Sequence, residues 1–401
     1  MFALGAFFFL FFGGLGFQHP FLLLFWRSRG FDRYTIGLLM AVASLAGALA
    51  SPLAGWLSDR LRLRKPFVIF GGLIAAIGIA ALPYTASAWS MGAMYALAWV
   101  GFTISQMAVA TLIVENSDPL KGGATFGALR AWGTAGYILA LLTATILRGN
   151  GLSGYPVWMF VAAPTAYALC AMSGFIAPRH HFADVKRPSL AEAKKLLAYK
   201  PFAFYLIAYC LFFGALNTGT TFLSLNLAEM LKSRQYTPPH VQQLVALAYL
   251  ISASCELVLM RYWGAVMDRV GARKTLMIGY AILPLRLLGY AMFPFPIAVY
   301  ALQAFHGFTF NIVTACSPVY AASLAPENLR ASAQGTLASA QGFAQAIVPL
   351  IGGFVCQRYG WGSLYGFLAG LALLGLIMFL ASDGDRIARK EALTANALFR
   401  N

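Results

Sequence analysis

Stretches of about 20 mainly apolar residues recur along this 401-residue chain, and no other feature limits its fold as strongly. About twelve windows qualify: 3–26, 34–57, 67–85, 89–115, 125–148, 156–177, 201–231, 240–266, 275–293, 297–323, 332–357 and 362–382. A helix of that length crosses a bilayer with all its backbone polar groups bonded internally, which an open sheet cannot do. The short alternating segments of a membrane β-barrel are absent. Only 10% of the residues are charged against 60% hydrophobic, whereas a soluble domain carries roughly 25% charged residues. The expected fold class is therefore an all-α membrane protein with twelve transmembrane helices and the lipid bilayer as solvent.

The first window is expected to be a retained helix rather than a signal peptide. No basic region precedes it, its apolar run is too long, and no small-residue cleavage site follows. Cys170, Cys210, Cys255, Cys316 and Cys356 all fall in apolar segments without CxxC or metal-ligand spacing, so they read as packing residues. His180 and His181 stand together in a basic polar stretch and are given no metal role. Neither a metal nor a cofactor is implied.

The net charge of +16 could suggest nucleic acid, but its distribution points elsewhere. Of 29 Lys and Arg residues, 19 fall in alternate loops and the C-terminal tail, 6 in the opposite loops and 4 inside the apolar windows, one of them, Arg148, at a window's last residue. Basic loops stay on the cytoplasmic side, so both termini are expected there, in a cell inner membrane. The basic runs are topology signals, and no nucleic-acid partner is expected.

The one long internal polar stretch separates two sets of six windows. It gives an N-terminal bundle (1–177), a cytoplasmic linker (178–200), a C-terminal bundle (201–382) and a cytoplasmic tail (383–401). Ser189–Leu197 could form a short surface helix. Two loops show that the halves are repeats. Gly55, Asp59, Arg60, Arg64 and Lys65 recur as Gly264, Asp268, Arg269, Arg273 and Lys274, with one common offset of 209 residues (Asp59 to Asp268). Parallel repeats of this kind are a transporter architecture.

Both loops resemble the GxxxDRxGxRR/K signature of the major facilitator superfamily, although Arg62 stands in the first copy where glycine is usual and Gly271 in the second. The resemblance implies the major facilitator fold, two pseudo-symmetric six-helix bundles, and a gating role for Gly55, Asp59, Arg60, Arg64, Gly264, Asp268, Arg269 and Arg273. Aspartates at helix ends would pair with basic groups across the gap and bias one conformation over another.

A charge at mid-bilayer costs about 2.5–3.5 kcal/mol on insertion scales and so needs a partner or a role. The mid-window candidates are Arg130, Glu256, Arg286 and His306. Glu115 and Arg261 lie nearer segment ends, where snorkelling accounts for them. His19, beside Pro20, is either pore-lining or a partner for a broken helix. Three of the four candidates belong to windows eight to ten.

These positions resemble the lactose permease branch, the phenylpropionate-permease-like group and, more distantly, nucleoside:proton symporters. The resemblance implies that Arg130 contacts solute hydroxyls with Tyr137 as a nearby stacking ring. It also implies that Glu256, Arg286 and His306 belong to a coupling network continuing to Thr309 and Asn311. Thr309 stands where that branch has an acid, and the acid facing the fifth-helix arginine is absent near Ala110–Thr111. Glu256 is thus the expected proton carrier.

The function expected is proton-coupled symport of a small polar or carboxylated organic solute by alternating access, with sugar, nucleoside and aromatic acid all open. An exporter, antiporter or uncoupled facilitator of the same fold is the alternative. No HExxH, GxSxG or glycine-rich phosphate loop suggests an enzyme. The partners expected are the solute and a proton, and the expected state is a functional monomer.

Overall fold

The computed structural model describes residues 2–116, 122–149, 155–178, 196–325 and 329–382. The linker 179–195, which holds most of Ser189–Leu197, and the tail 383–401 lie outside them, as do the side chains of Asp59, Glu115, Arg130 and Arg261.

The apolar windows are helices. In chain order they are α1 (Phe2–Ser28), α2 (Arg33–Leu61), α3 (Lys65–Ala81), α4 (Ala88–Glu115), α5 (Gly122–Gly149), α6 (Tyr155–Ile176), α7 (Lys200–Ser233), α8 (Pro238–Val270), α9 (Ala272–Met292) and α10 (Pro296–Leu324). A last helical run, Arg330–Ala381, changes direction at Gly360, whose φ of 85° and ψ of −178° are not helical. The part before Gly360 is α11 and the part after it α12. The sequence places a loop between windows eleven and twelve, and one glycine does that loop's work. Asp32 caps α2 by accepting the Thr35 N–H at 2.7 Å. Hydrogen bonding from the Thr35 hydroxyl and backbone holds the Asp32 carboxyl below its ordinary range.

Within each half, helices approach closely: α1 packs on α5 and α6, α3 on α4 and α6, and α7 on the α11–α12 run. Between the halves, α2 packs on α11, α5 on α8 and α1 on α7. The α2–α11 contact reveals the conformation. A Cβ added at Gly37 would stand 2.5 Å from the Pro349 carbonyl oxygen and 3.2 Å from the Gly353 Cα, so the two backbones touch there. Three turns further along the same face, a Cβ at Gly342 would meet the Ala48 Cβ at 2.9 Å. Two turns further again, one at Gly335 meets nothing within 4 Å and one at Gly55 only the Met107 sulfur at 3.9 Å among the described residues. The halves therefore meet at the end away from the termini and splay apart at the end that carries them.

The duplicated loops differ in backbone. Gly271 has φ 88° and ψ 155°, a region essentially restricted to glycine. Arg62, at the matching position, is also left-handed, with φ 53°. A positive φ at a residue with a side chain costs about 1–2 kcal/mol. Gly271→Ala is expected to lower stability by about 1–3 kcal/mol, whereas Arg62→Gly is expected to be neutral or stabilising by up to about 1 kcal/mol. Thermal unfolding in detergent, followed by tryptophan fluorescence, measures both.

Candidate functional site

Half-way along the helices, the two halves enclose a cavity of ≈ 240 Å³. The first half contributes Gln18, His19, Ser44, Trp99, Thr134 and Tyr137, and the second Asn217, Tyr249, Ser252, Glu256, His306 and Gln345, among others. The walls are mostly aromatic or neutral polar. Glu256 is the one acid lining the cavity among the described residues, and no lysine or arginine lines it among them.

The sequence candidates separate into two layers. Tyr137, Glu256 and His306 line the cavity. The Tyr137 hydroxyl is 3.2 Å from His19 Nδ1, and the His19 ring meets Tyr249 edge-on at 5.2 Å. His19 is thus pore-lining, one of the two roles its sequence left open. Thr134 on α5 donates to Glu256 Oε1 at 3.5 Å, a contact between the halves.

Arg286, Thr309 and Asn311 form the layer behind. Arg286 is 4% exposed and does not reach the cavity, contrary to what its cost in lipid suggests. Its charge is compensated by saturation: Nε donates to the Leu302 carbonyl at 3.0 Å, Nη1 to Thr309 Oγ1 at 3.2 Å, and Nη2 to the Tyr290 hydroxyl at 3.1 Å and to Gln303 Oε1. Nη1 also lies 3.1 Å from His306 Nδ1. All five guanidinium donors are taken, none by a carboxylate. Asn311 donates to the Glu256 backbone carbonyl at 2.6 Å, so it fixes α8 against α10 rather than facing a solute. Glu256 is thereby joined to α10 through its backbone.

Local backbone geometry makes this possible. α10 is helical over Pro296–Gln303, turns at Ala304–Phe305, and continues as a π-helical turn over Gly307–Asn311. Such wide turns are concentrated at functional sites. Gln303, His306 and Thr309 of this stretch all meet one guanidinium.

The duplicated loops lie at the splayed end. Gly55 and Gly264 are half-buried within α2 and α8, and Asp59 is in the last turn of α2. Arg60 stacks over Trp56 with its guanidinium 5.3 Å from the ring centre. Arg64 is buried and donates to Ser58 Oγ at 2.9 Å. Asp268 and Arg269 are exposed, and Asp268 makes no ion pair among the described residues. Arg273 sits 5.6 Å from the Phe379 ring centre.

The ion pair that does cross between the halves lies at the opposite end and was not anticipated. Arg33 Nη2 on α2 meets Glu229 Oε2 on α7 at 2.6 Å, and Trp361 Nε1 donates to the same oxygen at 2.7 Å. The Arg33 guanidinium lies 4.8 Å from the Trp361 ring centre, and the Arg33 N–H donates to Gln357 Oε1 at 3.2 Å. One arginine of the first half thereby grips three helices of the second. Both residues lie at segment ends, where sequence reading treats charges as ordinary anchors.

Two bundles around a mid-membrane cavity, closed at one end and splayed at the other, define a transporter fold. Residues 1–367 match the MFS_1 like family, and the chain belongs to it, a family of major facilitator transporters. It is 27% identical over 400 residues to the maltose permease of Geobacillus stearothermophilus, covering 96% of this chain and 95% of that one. It is 24% identical to the melibiose permease of Enterobacter cloacae subsp. cloacae, covering 75% of this chain and 73% of that one. The crystal structure of the nucleoside transporter NupG superposes with a TM-score of 0.79 at 19% identity, covering 96% of this chain and 98% of that one. The protein is a multi-pass membrane transporter.

The Arg33–Glu229 clasp predicts a measurable bias. Its side chains are 20% and 32% exposed, and a pair so accessible is worth about 1 kcal/mol at most. Glu229→Gln should raise the population open at that end up to about fivefold. Gly37→Leu, which forces α2 off α11, should raise it further. Labelling of a Ser44→Cys reporter by an impermeant reagent from the closed end reads this population. Unchanged labelling in both variants would show that the clasp does not hold that end shut.

Proposed function

We propose that this protein carries a small neutral, hydroxyl-bearing solute, of which a sugar is the leading class, in symport with a proton. The observation that carries this reading is the cavity lining: aromatic rings and neutral hydrogen-bonding groups from both halves, beside two histidines and one acid. Sugars fit such a surface because their apolar faces stack on rings while their hydroxyls both donate and accept. Arg286 bonds all its donors within the protein and offers none to the carboxylate of a solute. Maltose and melibiose permeases as relatives support the same class. A cavity of ≈ 240 Å³ stands just below the usual range of about 300–1,000 Å³ for ligand pockets, which favours a small solute.

The two halves, 1–177 and 201–382, would rock about this cavity, exchanging the Arg33–Glu229 contact at one end for contacts of the duplicated Asp loops at the other. Tyr137 and His306 serve as solute-contacting groups and Glu256 as the proton carrier. A change in what surrounds this carboxyl as the halves rock would let it take up a proton on one side and release it on the other. The basic loops support a cytoplasmic position for the splayed end and both termini, in a cell inner membrane. The halves enclose the cavity within one chain, so a monomer suffices.

Uptake into reconstituted vesicles decides the class. With the vesicle interior made alkaline, neutral mono- and disaccharides should accumulate, and aromatic carboxylates should neither accumulate nor compete. Accumulation of the carboxylates would overturn the neutral class. Loss of solute from loaded vesicles against its gradient would identify an exporter instead.

Glu256→Gln mimics the protonated acid, so exchange of solute across the membrane should persist while gradient-driven accumulation falls at least tenfold. Retention of full accumulation would place the proton elsewhere.

A further inference from the structure

We propose that Arg286 is a positioning residue that locks His306 in its Nε2–H tautomer, so that a fixed N–H donor faces the solute. The argument is one of hydrogen-bond direction. A guanidinium carries donors and no acceptor, and it stays charged. His306 Nδ1, 3.1 Å from Arg286 Nη1, can therefore meet it only as a lone pair. A ring that accepts at Nδ1 holds its single proton on Nε2.

The neighbouring bonds make the arrangement directional. Thr309 Oγ1 accepts from Arg286 at 3.2 Å and gives its own proton to the His306 carbonyl at 3.0 Å. The Tyr290 hydroxyl accepts from Arg286 at 3.1 Å and donates to Gln303 Oε1 at 2.9 Å. With the Leu302 carbonyl on Nε, the guanidinium cannot turn away from the imidazole without leaving donors unmet in an apolar bundle. The ring plane is held as well: His306 stacks on Phe310 at 5.3 Å and 12°.

Nε2 has no protein partner among the described residues, is not an enclosed unsatisfied atom, and belongs to a side chain that lines the cavity. Among the described residues, the other titratable groups facing this part of the cavity are Glu256 and Tyr249 on α8, His19 on α1 and Tyr137 on α5, with Tyr290 on α9 behind. His306 is then a neutral, one-way donor, suited to a hydroxyl or carbonyl oxygen of the solute, and no proton carrier while Arg286 holds it. Protonating Nδ1 would set a proton against the guanidinium. The solute contact rests on the reading under Proposed function; the tautomer does not.

The test therefore needs no solute. Nitrogen-15 NMR of histidine-labelled protein in nanodiscs distinguishes the tautomers, and the His306 signals are identified by their loss in His306→Phe. We expect one Nε2–H tautomer, unchanged between about pH 5.5 and 8, the range in which a free histidine changes charge. In Arg286→Met the lock is gone, and mixed tautomers or a titrating ring should appear. An Nδ1–H or protonated ring in the unaltered protein would overturn the proposal, as would an unchanged tautomer in Arg286→Met. Should Arg286→Met not fold, the unaltered protein alone decides. In uptake, His306→Phe and Arg286→Met should each raise the half-saturating sugar concentration at least tenfold, and the double variant should be no worse than either. Additive losses would mean that Arg286 acts other than through His306. Failure of every sugar to be carried, with the tautomer as expected, would remove the solute class and leave the lock standing.

Discussion

One positive charge, placed in the middle of an apolar bundle, organises the C-terminal half. Arg286 costs a few kcal/mol in lipid unless its donors are met, and it meets them with neutral groups from α9 and α10 alone. The irregular stretch of α10 carries that network, with Gln303, His306 and Thr309 all directed at one guanidinium. The same requirement accounts for two polar residues, Tyr290 and Gln303, that have no direct contact with the cavity. The site behind the cavity wall is thus a rigid support, and the wall itself is set by it.

The contact between the halves is built on different physics. Within a half, small residues allow backbones to pack tightly along whole helices, as membrane helices do without a hydrophobic drive between them. Between halves, tight approach is confined to one end, at Gly37, Gly353 and Gly342. The only ion pair among the described residues that crosses there is solvent-accessible and correspondingly weak. A carrier that must alternate requires such a contact, since a strong clasp would trap one state.

The cavity separates binding from compensation of charge. Its polar groups are neutral except Glu256, while the buried cation is shielded behind His306. A proton arriving at Glu256 therefore acts on a surface it shares with two histidines, His19 and His306. The bond between Asn311 and the Glu256 backbone carbonyl ties that acid to the π-helical turn, linking the support for Arg286 to the proposed proton site.

The sequence by itself determined the twelve spans, the duplication and the half that holds most buried ionisable residues. These follow from local quantities: the length of apolar runs, repeated spacing, and the cost of charge in hydrocarbon. It also marked position 62 as unusual, and the left-handed backbone at Arg62 shows why glycine suits it. Which residues face the cavity was a different matter. Arg286 and His306 looked alike as buried polar residues, yet one supports and the other lines, because helix period gives a face but not the neighbour opposite. Arg33 and Glu229, 196 positions apart, meet only because α2 and α7 belong to different halves brought together at one end. Tertiary structure alone decided that pairing, the open end and the neutrality of the described cavity wall, since each depends on how helices from distant parts of the chain pack.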